Sequence, residues 1–274
     1  MNIFYVDGKY APSSEATIPV TDLALLRGLG AFELLRTFGG NPFGLTEHLE
    51  RLKTSAERIG VALRWTLDDI AAIVMETLSR NHEAESNIRI IVTGGSSSDF
   101  MTPEGNSRLI VMVTPLPSQP EWWYSQGVAV ITLETDRAMT RAKSINYAQA
   151  SVAVTRAREQ HAVEAVYVDS TGMVREGTTS NVFMFKNSTL VTPGEGVLKG
   201  ITRQMVLNLA SSRYAVMIRD IPLNDFLCAD EVFITGTNKG IVPVVKINET
   251  VVGDGLPGPC TRSLMDMMET HVHS

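Results

Sequence analysis

The chain has 274 residues, 44% hydrophobic and 20% charged, with a formal net charge of -6. That length allows one or two globular domains, and the composition excludes disordered, collagen-like and coiled-coil classes. The acidic balance offers no basic face for nucleic acid, and Cys228 and Cys260 lack zinc-ligand spacing and read as reduced thiols, so no metal is expected.

The first 45 residues read as β structure, with hairpins around Asp7-Gly8 in IFYVDGKY and around Gly-Gly-Asn-Pro in AFELLRTFGGNPFGL. The N-terminus has no basic start followed by a long apolar stretch, and no apolar run approaches the roughly 20 residues needed to cross a bilayer. A cytoplasmic protein without membrane contact is therefore expected. In TEHLERLKTSAERIG, Thr46 is the expected N-cap, and Leu49, Leu52, Ala56 and Ile59 share a helical face before Gly60. In the next helix Thr66 and Asp69 have capping-box spacing, and Ile70, Ile73, Val74 and Leu78 form the apolar stripe.

NIRIIVTGG and RLIVMVTPL read as strands, and the three prolines of PLPSQPEWW mark a linker. The expected domains are 1–117 and 118–274. Beyond the linker, GVAVITLET reads as a strand and residues 147–160 as a helix, followed by hairpins in EAVYVDSTGMVREG and NVFMFKNSTLVTP. A helix in ITRQMVLNLASSRY leads to a strand in DEVFITGT, a hairpin around Asn248 to Thr250, and a terminal helix after Pro257. Strands that arrive mostly as hairpins predict an α+β architecture rather than a wound parallel sheet.

Three features carry chemistry. In TPGEGVLKGITRQMV, Gly200 precedes a helix whose first amides, at Ile201 and Thr202, can hold a phosphate; the plainer alternative is a turn that only starts a helix. It is not a P-loop, and RGLGAFE has Glu33 where a dinucleotide fingerprint needs glycine. Lys143 in TRAKSINYAQ is either a solvated lysine or, if Arg137 and Arg141 share its pocket, an amine tuned as nucleophile or base. Arginine there would stay protonated. Glu176 in VREGTTSN is a turn carboxylate or the partner of a buried ring nitrogen. Lysine, carboxylate and phosphate loop together suit pyridoxal phosphate.

The ordered motifs Lys143-Ser-Ile-Asn146, Glu176-Gly-Thr-Thr-Ser180-Asn181, Gly196-Val-Leu-Lys-Gly200-Ile-Thr-Arg203 and Asp230-Glu-Val-Phe-Ile-Thr-Gly236-Thr237 resemble the class IV (fold type IV) aminotransferases. FELLRTFGGNPFGLTEHLERL extends the resemblance into the first domain. The family contains branched-chain aminotransferases, D-amino-acid transaminases, (R)-amine transaminases and 4-amino-4-deoxychorismate lyase. The resemblance implies a two-domain α+β fold, with a small N-terminal domain and a larger β-rich domain that binds pyridoxal 5'-phosphate. It also implies a homodimer acting on an amino acid and a 2-oxo acid. Lys143 would bond the cofactor covalently and shuttle a proton, Glu176 would pair with the pyridine nitrogen, and Tyr147 would touch the phenolic oxygen. Arg51, Gly200, the amides of Ile201 and Thr202, and Thr237 would serve the phosphate, with Ser180 and Asn181 also on the cofactor.

The loop TDLALLRGLGAFE departs from the family pattern, with Leu23 for the usual first arginine, Arg27 near the usual aromatic and Leu29 for the aspartate. Arg27 and Arg89 are candidates for substrate carboxylates, beside Gly236 and Asn238. Arg89 is the one charge in an apolar strand, and otherwise reads as an edge-strand residue in water. TGGSSSDF contains no Arg-x-His trap, and an Arg27 and Arg89 pair resembles a less usual subset of D-amino-acid transaminases. D-amino-acid transamination is thus the expected activity, with branched-chain L-amino-acid transamination and then the lyase as alternatives. Arg27 is also a candidate to act across a dimer interface.

Overall fold

The computed structural model describes residues 1–273, which divide into two compact units. The first comprises Met1–Pro117 together with Ala142–Tyr147. Its elements are β1 (Ile3–Val6), β2 (Lys9–Pro12), α1 (Leu23–Arg27), β3 (Gly30–Phe38), β4 (Asn41–Pro42), α2 (Leu45–Arg58), α3 (Leu67–Ser79), β5 (Ser86–Thr93) and β6 (Arg108–Pro115). The strands form one antiparallel sheet in the order β2-β1-β6-β5-β3-β4. Alternation sends Ile88, Ile90 and Val92 of β5 to the face of Val113, Val111 and Leu109 of β6, each paired in register. That face is covered by Leu49, Leu52 and Ala56 of α2 and by Ile70 and Val74 of α3. Each fully buried Leu or Ile side chain contributes about 1.5–3 kcal/mol.

The expected capping box opens α3: Thr66 accepts from the Asp69 amide, and Asp69 accepts from the Thr66 amide. The start of α2 differs from expectation. The helix begins at Leu45 behind Gly44, whose φ of 64° has no side-chain cap, so Thr46 lies within the first turn. Chain leaving β4 turns through the left-handed region, which favours glycine over a capping threonine. Helix α1 was not foreseen, because five residues with one buried side chain leave no periodic signal.

A single cut after residue 117 does not describe this unit. The segment Ala142–Tyr147 lies along β3: the Phe32 amide donates to the Lys143 carbonyl at 2.9 Å and the Ile145 amide to Gly30 at 3.0 Å. The Lys143 amide donates to Ser55 Oγ on α2 at 3.0 Å. Gly30 makes the approach possible, since a Cβ there would meet Val92 O at 2.9 Å and the Ile145 side chain at 3.0 Å.

The second unit, Ser118–Arg141 and the chain from Ala148, contains α4 (Trp122–Ser125), β7 (Val128–Glu134), α5 (Ala148–Glu159), β8 (Glu164–Val168), β9 (Met173–Gly177), β10 (Asn181–Lys186) and β11 (Thr189–Thr192). There follow α6 (Ile201–Ala210), β12 (Ala215–Ile218), β13 (Ile221–Pro222), α7 (Leu223–Leu227), β14 (Glu231–Gly236), β15 (Gly240–Ile247), β16 (Thr250–Val251) and α8 (Pro259–Val272). The sheet runs β12-β11-β10-β14-β15-β7-β8-β9-β13, and a further pairing of Asn181 with Glu176 joins β10 to β9. Six strands therefore close into a ring around Val130, Val166, Val174, Val182, Ile234 and Val242. Hairpins dominate, but β7–β8, β15–β7 and β11–β12 are parallel, the first joined by a crossover through α5. Outside the ring, Phe183 and Phe233 stack 4.8 Å apart in a cluster with residues of α6 and α8. No helix among the described residues is long and apolar enough to cross a membrane.

Candidate active site

In the first unit, β3 presents two neighbours to opposite faces. Glu33 points toward α2 and is fully buried, where a bare carboxylate would be untenable. It is answered from one helical face: His48 Nδ1 lies 2.7 Å from Oε2, and Arg51 donates from Nε to Oε1 at 2.8 Å and from Nη2 to Oε2 at 2.7 Å. Burial pushes the Glu33 carboxyl up, but the charge and hydrogen bonds of Arg51 and the His48 contact outweigh it and hold it at about 2. Burial pushes the His48 imidazole below its usual range. The forked edge of Arg51, expected to grip phosphate, therefore lies on Glu33, which fixes the plane of the guanidinium.

Phe32, on the other face of β3, gathers three side chains of this unit. Lys143 Nζ lies over its ring 4.8 Å from the centroid, Arg89 Cζ lies 5.3 Å from it, and Tyr147 meets it edge-on at 5.6 Å. Arg89 is only partly exposed and makes no hydrogen bond or ion pair among the described residues. Arg27 is not brought into this cluster by any bond or ring contact: it ends α1, exposed, with Nη1 on the Leu26 carbonyl at 2.9 Å. The buried Asp22 fixes that helix by accepting from the Ala24 amide and Thr93 Oγ1, both at 2.8 Å.

In the second unit, Glu176 is buried at the seam where β9 meets β10. Arg137 Nη1 donates to its Oε1, and the Leu198 amide donates to Oε2 at 2.8 Å. The Arg137 guanidinium also lies 5.2 Å from the Tyr167 ring centroid, beside a cavity of about 160 Å³ that Asp169 and Arg175 help to line. Arg137 and Arg141, which would tune Lys143 if they shared its pocket, are each ion-paired within this unit, Arg137 with Glu176 and Arg141 with Glu195.

Asn181 donates from Nδ2 to the Leu198 carbonyl at 2.9 Å, and its Oδ1 occupies the place a Cβ on Gly200 would take. Gly200 caps α6 without any side-chain bond, and the first turn holds no acidic residue, so the amides of Ile201 and Thr202 meet no capping side chain among the described residues. Around this cradle, Ser180 Oγ, Thr235 Oγ1 and Arg203 Nε are buried with no hydrogen-bond partner among the described residues. Gly236, Thr237 and Asn238 form the turn from β14 into β15. Orphaned donors around an uncapped helix start suit an anion.

The amino-transferase class IV family model matches residues 30–247. The chain belongs to that family. This class IV aminotransferase is 33% identical over 270 residues, 96% of this chain and 93% of the relative, to a Methanocaldococcus jannaschii protein named provisionally as a branched-chain-amino-acid aminotransferase. It is 30% identical to the D-alanine aminotransferase of Staphylococcus epidermidis, covering 100% of this chain and 99% of the relative. Among solved structures it is similar to a T.th. branched-chain amino acid aminotransferase with pyridoxamine 5'-phosphate, at a TM-score of 0.92 and 26% identity over 99% of this chain and 94% of that one. The fold is accordingly fold type IV, and the enzyme is pyridoxal-phosphate-dependent. The donor set fits that cofactor, with a lysine amine, a buried carboxylate for a ring nitrogen, and an uncapped helix start with orphaned donors for a phosphate.

Reading the sequence missed Glu33 and His48. The available signal was a carboxylate on the inward alternation of a strand whose neighbours are Ala31 and Leu35, which demands a buried partner. Glu33→Gln should lower stability at neutral pH by on the order of 3 kcal/mol. Because the folded carboxyl is held at about 2, below its ordinary value of 4.5, this stabilisation is complete above pH 4.5 and disappears as pH falls toward 2. Thermal midpoints of wild type and variant should therefore converge on acidification from pH 7 to pH 3, and a constant gap would count against the charged pair.

Proposed function

We propose that this enzyme exchanges the amino group between a D-amino acid and a 2-oxo acid such as 2-oxoglutarate or pyruvate, as a homodimer. The observation that carries this is Arg89: a guanidinium without hydrogen bond or ion pair among the described residues lies over the same ring as Lys143 Nζ. A substrate carboxylate would be its natural partner, bound through two parallel hydrogen bonds. Support for the D-enantiomer comes from Arg89 together with Arg27, from the missing Arg-x-His trap, and from the similarity to D-alanine aminotransferases. Exposed Arg27 would serve the neighbouring subunit.

When bound, pyridoxal phosphate supplies an electron sink for the bonds of the substrate α-carbon. Lys143 Nζ would hold the cofactor covalently, and its amine would carry the proton between the substrate α-carbon and the cofactor. Glu176 would hold a proton on the ring nitrogen, and Arg137, ion-paired with it, would align its carboxylate. Arg51, its plane fixed by Glu33, joins the amides of Ile201 and Thr202 and the Thr237 hydroxyl on the phosphate. Ser180, Asn181 and Gly200 shape that cradle, Tyr147 serves the phenolic oxygen, and Gly236 and Asn238 face the substrate.

Single-turnover half-reactions with matched enantiomers test the reading. D-alanine and D-glutamate should discharge the cofactor's visible band faster than their L-forms, and Arg89→Gln should raise KM for D-glutamate roughly 10- to 100-fold. The similarity to branched-chain aminotransferases favours a second reading, with L-leucine and L-valine as donors. Faster conversion of those two would replace the first.

A further inference from the structure

Two turns that carry proposed cofactor and substrate residues lie at the same end of the strand ring. The β9–β10 turn runs through Thr178, Thr179 and Ser180 into Asn181, and the β14–β15 turn runs from Gly236 to Gly240. Asn181 pairs with Thr235, so the strand register brings the turns side by side. Beyond that register the side chain of Glu164 links them. Glu164, the first residue of β8 and 2% exposed, accepts at Oε1 from the Thr179 amide, from Thr178 Oγ1 at 3.0 Å and from Thr179 Oγ1 at 3.1 Å. At Oε2 it accepts from Lys239 Nζ at 2.8 Å, and that ammonium also donates to Thr179 Oγ1 at 3.0 Å. The Lys239 carbonyl is tied by the Tyr124 hydroxyl at 3.1 Å. Burial pushes the Glu164 carboxyl up, but the Lys239 charge and these hydrogen bonds bring it below its ordinary value, so the pair is ionic. The fit is close: a Cβ on Gly236 would come within 3.3 Å of the Lys239 side chain and 3.4 Å of the Thr179 carbonyl.

We propose that Glu164 and Lys239 are positioning residues whose ion pair latches the two turns together and so sets the fit of Thr237 to the cofactor's phosphate. This rests on the proposed function, which puts the phosphate at Thr237. An ion pair needed only for stability and a latch behave differently when both charges are removed. Removing one partner leaves a buried charge unpaired and destabilises the fold, while removing both restores stability, with or without the original spacing of the turns.

The test is binding of pyridoxal 5'-phosphate and of unphosphorylated pyridoxal to the apoenzyme, with the ratio of the two affinities as readout. The double variant E164Q/K239M should melt near wild type but lose about tenfold of the preference for the phosphorylated form. T179V keeps the charge pair and removes the hydroxyl both groups share, and should lose about threefold. Wild-type preference in both variants would overturn the latch. T237A must also lower the ratio; if it does not, the phosphate assignment fails and the latch with it, a result distinct from a normal T237A effect beside silent latch variants.

Discussion

Lys143→Ala should fold, take up pyridoxal 5'-phosphate and transaminate roughly 10³-fold more slowly or worse. Folding survives because the segment is held by backbone bonds to Phe32, Gly30 and Ser55, none of which uses the lysine side chain. Uptake survives because the proposed phosphate and ring-nitrogen contacts come from other residues. Turnover fails because one amine both anchors the cofactor and moves the proton. Lys143→Arg separates charge from chemistry: a guanidinium can replace the cation over Phe32 but remains protonated, so that variant should be equally inactive. Borohydride reduction of the wild-type holoenzyme should leave the cofactor's mass on the peptide containing Lys143. The next candidate is Lys239, whose largely covered amine is ion-paired with Glu164. Label on that lysine, or K143A activity within tenfold of wild type, would remove Lys143 from its role.

The parts of this enzyme that could be read from sequence are those whose signals are local. Helix α3 announced itself through Thr66, Asp69 and an apolar stripe, and the glycine before α6 pointed to a helix start open to an anion. What could not be read depends on chain returning from a distance. The six residues Ala142–Tyr147 carry no apolar pattern, yet they leave the second unit to pair with Gly30 and Phe32, so the lysine belongs to the same unit as Arg51 and Arg89. Glu164 and Lys239 are 75 residues apart and looked like two ordinary charges until the ring closed. The partner of Arg137 was hidden for the same reason. Its nearness in sequence to Lys143 drew attention to the amine, and its ion pair with Glu176, 39 residues on, carries no local signal. The Glu33, His48 and Arg51 cluster lies between these cases, because His48 and Arg51 stand three apart on one helical face and only the carboxylate's place across the sheet was missing.

Glu176→Gln should lower kcat about 100-fold and leave the ring nitrogen of the bound cofactor without its proton. Arg137 and the Leu198 amide already occupy one site on each oxygen of Glu176, but a carboxylate offers about four acceptor positions, so a pyridinium N–H can still be received. Glutamine offers a neutral oxygen that cannot balance a positive ring, and it also leaves the Arg137 guanidinium without its counter-ion. Arg137→Gln is the complementary change: the carboxylate stays, but without the adjacent cation it binds a proton more readily and competes with the ring nitrogen for it. The nitrogen-15 shift of labelled cofactor distinguishes the two. Wild type should report a protonated ring across the neutral range, E176Q an unprotonated one, and R137Q a mixture that changes with pH, with R137K restoring most of the wild-type signal. A protonated ring in E176Q would mean that another group supplies the charge, and Glu176 would revert to a carboxylate that only ties β9 to the loop before α6.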